Sequence, residues 1–458
     1  MSLLSSLLVA GSGLRAASAG VSTTSHNVAN ASSEGFHVRS ATVVTADPIR
    51  RGAAWFGQGT NLTGISRAAD SFLARRQMST AGDAAASYTL QTNLTQVETR
   101  FNESAADGIR ERLDQFYDAL TEATADPADR GLREGVNAAA SRLGDVLRRT
   151  ANGLDQQLSD FEDTMVGSVD AINEKIAKVA ALNKGLQAAG GALKAGDLAD
   201  QRDQLIRELA EEVGATAYFD GEGRATVMVG GHAVVSGIEA RQILVDVSSG
   251  APSVFMSADS GQVDLTAGVG GVLGGRIGAH ALTVGYRERL DTFATDFAGA
   301  MNAQHQAGFD RAGAPGGDLF TFNAADPAGS FAPSSAVLAS PDLLAFAAGP
   351  SANPGDAGNL EALMGTRTSG FVGADADTPE AWLTDLTSDV GRDTDTAGIA
   401  AEANQALLDD LDELDQNLHG VDLDEQAQNL ITYQTAYQAA AKVLASTQSM
   451  LDTLMSIV

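Results

Sequence analysis

Apolar residues recur every seven positions at both ends of this chain. Leu423, Leu430, Tyr437, Leu444, Leu451 and Val458 form one series, with Tyr433, Ala440 and Leu454 three places after members of it and no Pro or Gly after Gly420. Leu7, Leu14, Val21 and Val28 form a second, with Leu3, Ala10 and Ala17 completing its seam. A seven-residue repeat gives a helix one narrow apolar stripe, suited to a partner helix rather than a broad core. Each helix alone is marginal in water, because nucleation is costly and the stripe stays wet. The two termini are therefore expected to pair as a coiled coil, ordering when a chain joins its assembly.

Between them the period changes twice. Residues 41–66 read as an extended connection with room for a short hairpin. Helical composition returns from Ala69 to Phe101 and from Ile109 to Ala123. Asp126 is then expected as an N-cap with Pro127 in the first turn of a long helix. Leu132, Val136, Ala139, Leu143, Leu147, Thr150, Leu154, Leu158, Phe161, Met165, Ile172, Ile176, Val179 and Leu186 track one face of it. Such a helix is a rod on the order of 75 Å long. A shorter helix from Asp200 to Val213 follows. At Gly214 alternation begins, with strands expected at Thr216–Asp220, Ala225–Val229, Ala233–Val235 and Ile243–Val247. Residues 311–395 hold seven of the ten prolines and read as loop-rich and peripheral, with helix resuming near Ala397.

The fold class predicted is mainly α with a small β-rich insertion, in an elongated multi-domain protein. Residues 1–45 and 420–458 make a discontinuous terminal coiled-coil domain. Residues 46–213, 276–310 and 396–419 make a long-helix bundle, 214–275 the β-rich insertion and 311–395 the peripheral segment.

Composition narrows the function. With 59 acidic against 30 basic residues the net charge is -29, which argues against a nucleic-acid surface or an anionic membrane as partner. No cysteine is present, so there is no disulfide, thiolate site or cysteine nucleophile. No unbroken apolar run reaches the roughly 20 residues needed to span a bilayer, and membrane insertion is not expected. The Leu3–Ala10 stretch lacks a basic lead and is broken by Ser5 and Ser6, so it is read as retained structure rather than a signal peptide.

Candidate chemistry is thin. Gly11-Ser12-Gly13-Leu14-Arg15-Ala16 has the G-x-G-x-x-A form of a dinucleotide loop, but no second strand ending in an acidic residue follows. His26, His37, His232, His280, His305 and His419 lack HxxxH or HxH spacing, and exposed or capping roles are expected. Nine carboxylates and no Lys or Arg lie between Glu402 and Glu425, without the ligand spacing or central Gly of a calcium loop, which reads as a solvated helix face. No catalytic residue, cofactor or metal is expected.

The run His26-Asn27-Val28-Ala29-Asn30-Ala31-Ser32-Ser33-Glu34-Gly35-Phe36 resembles the N-terminal signature of flagellar axial proteins, with Phe36 where Tyr is usual. Its Asn and Ser residues suit a helix end, and Gly35 admits a backbone that a side chain resists. Asp126 to Arg130, Asp200 to Ile206, Asn302 to Asp310 and Gly420 to Glu425 occur in the order of one family. On these residues the chain resembles the hook-associated protein 1 family.

The resemblance implies a structural protein at the hook–filament junction, not an enzyme, exported through the flagellar type III apparatus without cleavage. It implies a ring of identical subunits between the hook protein and hook-associated protein 3, and an export chaperone that holds the C-terminal helix. The assembly interface is expected at Leu7, Leu14, Val21, Val28, Leu423, Leu430, Tyr437, Leu444 and Leu451, with Leu430, Tyr437, Leu444 and Leu451 also meeting the chaperone. Asn27, Asn30, Gly35 and Phe36 carry the family motif. Another axial protein, such as hook-associated protein 3 or a rod or hook component, is the alternative, and a dinucleotide-binding enzyme a remote one.

Overall fold

The computed structural model describes residues 3–33, 35–51, 54–101, 107–190, 195–221, 223–259, 261–350 and 355–457; Glu34 and Val458 lie outside them. Helix α1 runs Leu3–Ala29 and ends in the Asn30–Ser33 turn. An antiparallel ribbon follows, in which β1 (Arg39–Thr45) pairs with β4 (Thr60–Arg67), and β2 (Ile49–Arg51) with β3 (Ala54–Phe56) forms the tip. Then come α2 (Ser71–Phe101), α3 (Ile109–Ala123), α4 (Arg130–Ala189) and α5 (Gly196–Val213).

Helix α4 has 60 residues and is about 90 Å long. Of its expected apolar face only Leu132 and Leu158 are half-buried; the others are buried. Its cap is not the expected one. Asp126 Oδ1 accepts the Ala128 N–H within the Pro127 turn, and Asp129 caps the helix by accepting the Leu132 N–H at 2.9 Å. The proline turn uses the first carboxylate, which leaves the second for the helix end.

The β-rich insertion is two sheets. Strands β5 (Thr216–Phe219), β6 (Ala225–Val229), β7 (His232–Ser236) and β8 (Glu239–Ala240) form a meander, while β9 (Ile243–Asp246), β10 (Ser253–Ala258) and β11 (Gly261–Asp264) form the second sheet. Two asparagines of α4 clip them to the rod. Asn183 bonds both backbone groups of Ala225 at 2.8 and 3.1 Å, and Asn173 both of Ile243 at 2.9 and 2.8 Å. Each side-chain amide thus replaces a missing strand neighbour.

Helix α6 (Gly271–Ala307) re-enters the bundle. Beyond it lie β12 (Phe320–Thr321), α7 (Pro327–Ser330), β13 (Ala332–Pro333), α8 (Ser335–Ala339), α9 (Gly358–Gly365), α10 (Pro379–His419) and α11 (Leu423–Ile457). Residues 311–395 are rich in loops but not peripheral. Phe320, Phe331, Phe346, Leu360 and Leu363 are fully buried, and Phe320 sits 5.7 Å from both Phe116 and Phe297 between ring centroids. Aromatic pairs at that spacing add to the burial of their own area. These residues fill the bundle without a repeating period, so no pattern announces them. Helix α10 starts at Pro379, capped by Thr378, well before Ala397.

His305 ties this segment to α6. It is fully buried, its Nδ1 donates to the Gly317 carbonyl at 2.7 Å, and its Nε2 accepts the Ala345 N–H at 2.9 Å. That pairing requires the neutral ring. Burial pushes its pKa below the usual 6.5, outweighing the opposing pull of the Gly317 carbonyl. The unfolded chain therefore binds more protons just below that value, and stability falls as pH drops through it. Urea unfolding at about pH 7.5 and about pH 5.5 checks this: the stability advantage of the wild type over His305→Gln is expected to shrink at the acid value.

Helices α1 and α11 pair within the one chain, antiparallel. Gly13 lies against Ala440, Gly20 against Tyr433, and Asn27 bonds Gln426. The two partners of the pair are thus the two ends of the same chain. By length and composition α1 is apolar enough to cross a bilayer, with a window of mean hydropathy 1.2, contrary to the expectation from unbroken runs. One line of it, Ala10, Ala17, Gly20, Thr24 and Asn27, is buried, while most of the helix is not.

Candidate functional site

The foot of the α1–α11 pair is where chain ends, ribbon and body meet. Asn27 is buried at their junction. Its Nδ2 donates to the Arg39 carbonyl at 2.8 Å and to Gln426 Oε1 at 2.9 Å, and its Oδ1 accepts the Arg39 N–H at 3.1 Å. One side chain thereby holds α1, β1 and the start of α11. Asn30 closes the helix end by donating to the His26 carbonyl at 2.9 Å. Gly35 has φ +70, the left-handed conformation that its lack of Cβ permits. The turn it makes brings Phe36 under the Arg39 guanidinium, 5.0 Å from the ring centre, and 5.6 Å from the His26 ring.

A collar of charge surrounds this foot. Arg39 pairs with Asp197 at 2.7 Å and Asp200 at 2.5 Å; Arg67 pairs with Asp200 at 2.6 Å and Asp203 at 2.8 Å. His37 stands between Asp200 and Asp415, 3.7 and 3.6 Å away, and His419 Nδ1 is 2.8 Å from Asp415. The Val38 N–H donates to the His419 carbonyl at 2.9 Å. Residues 37–67, α5 and the last turn of α10 are thus one network. Burial alone raises the Asp415 pKa, but hydrogen bonds from His37 and His419 outweigh it and hold the carboxyl at about 2. Asp200 is likewise lowered: burial opposes, while His37, Arg67 and Arg39 prevail. Burial disfavours charge on His37 too, yet Asp200 and Asp415 raise its pKa. The collar is an ionic joint in which each cationic group faces at least one carboxylate.

The expected seam residues fall beside the observed seam. Leu7, Leu14, Val21, Leu430, Leu444 and Leu451 are half-buried, while Val28, Leu423 and Tyr437 are exposed at 45, 56 and 42%. The line of closest approach runs through Gly13, Gly20 and Asn27 against Ala440, Tyr433 and Gln426. Small residues let two helices approach closely and displace larger apolar groups to the flanks, so of the expected seam Ala10 and Ala17 are buried and Tyr433 and Ala440 lie on the contact line, while the larger apolar series lies beside it. The same seven-residue spacing at Gly13, Gly20 and Asn27 was the available signal. Gly11, Gly13 and Ala16 lie inside the continuous helix α1, so the dinucleotide-like motif forms no phosphate loop.

Comparison with known proteins fits this architecture. Residues 94–320 match the family described as flagellar hook-associated protein FlgK helical domain, and residues 416–457 that described as flagellar basal body rod FlgEFG protein C-terminal. Flagellar hook-associated protein 1 of Escherichia coli (strain K12) is 25% identical, covering 97% of this chain and 98% of its own. That of Bacillus subtilis (strain 168) is 26% identical, covering 96% and 95%. The flagellar hook junction protein FlgK from Burkholderia pseudomallei has a similar fold, with TM-score 0.67 and 14% identity over 75% of this chain and 99% of that one. A long-helix body carrying a paired-helix foot with a rod-protein segment is the build of a structural, axial protein of the bacterial flagellum. Within that class, the chain belongs to the flagellar hook-associated protein 1 family.

Proposed function

We propose that this chain forms the junction between hook and filament by assembling with copies of itself through its terminal helices. The observation that carries the reading is the apolar surface left exposed along the α1–α11 pair. Leu4, Leu8, Ile431, Val443, Met450 and Met455 are all exposed, Met455 at 78%. So much apolar surface on one two-helix unit marks an interaction site, and neighbouring copies in a ring would cover it. Leu7, Leu14, Val21, Val28, Leu423, Leu430, Tyr437, Leu444 and Leu451 flank the intramolecular seam and face those copies.

The ring joins the hook protein on one side to hook-associated protein 3 on the other, outside the cell. Before that, a flagellar export chaperone holds Leu430, Tyr437, Leu444 and Leu451, and the chain leaves through the type III apparatus without losing a signal peptide. A rod or hook component is the second reading, favoured by the rod-protein match at residues 416–457.

Deleting the gene in its source bacterium and viewing the cells by electron microscopy tests the proposal. Hooks without filaments, with flagellin in the medium, are expected; normal filaments overturn it, and loss of the hook itself favours the second reading. Complementation with Leu444→Asp is expected to leave the filaments missing, and full rescue would remove Leu444 from the interface.

A further inference from the structure

The last turn of α10 and the segment before β1 bring two imidazoles and a carboxylate to one point. Asp415 and His419 are one helical turn apart, His419 Nδ1 lying 2.8 Å from Asp415 Oδ1. His37 Nε2 approaches Asp415 Oδ2 to 3.6 Å from the other side. One ligand atom from each of the three lies within 4.8 Å of the other two. Around a tetrahedral zinc ion, bonds of about 2.0 Å to nitrogen and oxygen set neighbouring donors about 3.4 Å apart. Side-chain rotation therefore suffices to close these three on an ion. Their backbones are already fixed together by the Val38 to His419 hydrogen bond.

We propose that His37, Asp415 and His419 bind one transition-metal dication of the zinc class, with water in the fourth position. Two imidazoles and one carboxylate favour Zn2+, Co2+ or Ni2+ over Mg2+ and Ca2+, which take oxygen donors. Metal-bound imidazoles commonly donate their second N–H to a carboxylate. Asp200 Oδ1 stands in that place, 3.7 Å from His37 Nδ1. Arg67 Nη2 donates to Nδ1 at 3.0 Å; ligation through Nε2 would place a proton on Nδ1, which would then donate to Asp200 while Arg67 turns wholly to Asp200 and Asp203. Access exists on two sides. A cleft of about 240 Å³ reaches His37 and Asp415, and another of about 660 Å³ reaches Asp415 and His419. The ion would clamp the foot of the terminal helix pair to α10, stiffening the joint between assembly unit and body.

The test uses the full chain stripped with chelator, titrated with ZnCl2 by calorimetry and with CoCl2 by visible absorption. One ion per chain, intense tetrahedral-type cobalt bands and a higher melting midpoint with zinc are expected. His419→Ala and His37→Gln are each expected to weaken zinc binding at least about tenfold. His232→Ala, at an exposed histidine of β7, is the control and should leave it unchanged. Circular dichroism establishes that each variant is folded, and the two ligand variants lie on different segments, so either one decides. Absence of saturable binding at one equivalent in the wild type overturns the proposal, as does binding that both folded ligand variants retain.

Discussion

Gly20→Leu is expected to part α1 from α11. A Cβ at Gly20 would lie 2.5 to 2.6 Å from three atoms of the Tyr433 ring, so even the first side-chain carbon has no room. Leucine also has a higher helix propensity than glycine, by about 1 kcal/mol, which strengthens α1 as an isolated helix and so separates the two effects. Overpacking of a tight contact costs about 1–3 kcal/mol, and the helices have little else between them to absorb the shift. Hydrogen exchange reads the outcome: amides of α1 and α11 should exchange on the order of 10- to 100-fold faster, with those of α4 and α6 unchanged. Gly20→Ala combined with Tyr433→Ala should restore protection, because the second change vacates the ring's place. Unaltered exchange in Gly20→Leu would mean that the close approach at this point does not hold the pair.

Asp200→Ala attacks the joint rather than the pair. The change strips Arg39 and Arg67 of their shared carboxylate and leaves both guanidiniums, 9 and 12% exposed, in the collar. Removing one partner of a buried ion pair costs about 3–5 kcal/mol when the other charge is left alone; Asp197 and Asp203 stay beside Arg39 and Arg67, so the loss should fall toward the lower end of that range. Asp197→Ala provides the contrast. Its side chain is 67% exposed, and pairs of that kind contribute about 0–1 kcal/mol. Urea unfolding of both variants should show a large loss for Asp200 and little for Asp197; equal losses would mean that the collar does not depend on its buried centre.

Legibility in the sequence followed the length of each repeating signal. The α4 face could be read residue by residue because 60 uninterrupted positions repeat the helical period. The pairing of the termini was likewise visible, since Leu7 to Val28 and Leu423 to Leu451 share a seven-residue spacing. The seam itself was legible in part: Ala10, Ala17, Tyr433 and Ala440 stand out by their spacing, whereas Gly13, Gly20 and Asn27 carry no hydrophobic signal although they recur at the same interval. Phe320, Phe331 and Phe346 look like loop residues between prolines, and only the cavity they fill reveals their part in the core. The collar was hidden for another reason. His37, Asp200 and Asp415 are polar residues on three distant segments, and no local pattern records that folding will bring them together.

The contact between Asn27 and Gln426 spans 399 positions. Closing a flexible loop of that length would cost about 5 kcal/mol in chain entropy, far more than one amide bond returns. The folded body removes most of that cost, because the Val38 to His419 bond already holds the two segments together at the collar. The helix pair therefore closes like a zip from a fixed foot, each turn bringing the next within reach, and it frays in the opposite order. The end near Leu3 and Met455 opens most readily, so it can adjust its spacing to whatever surface it meets while the foot stays set.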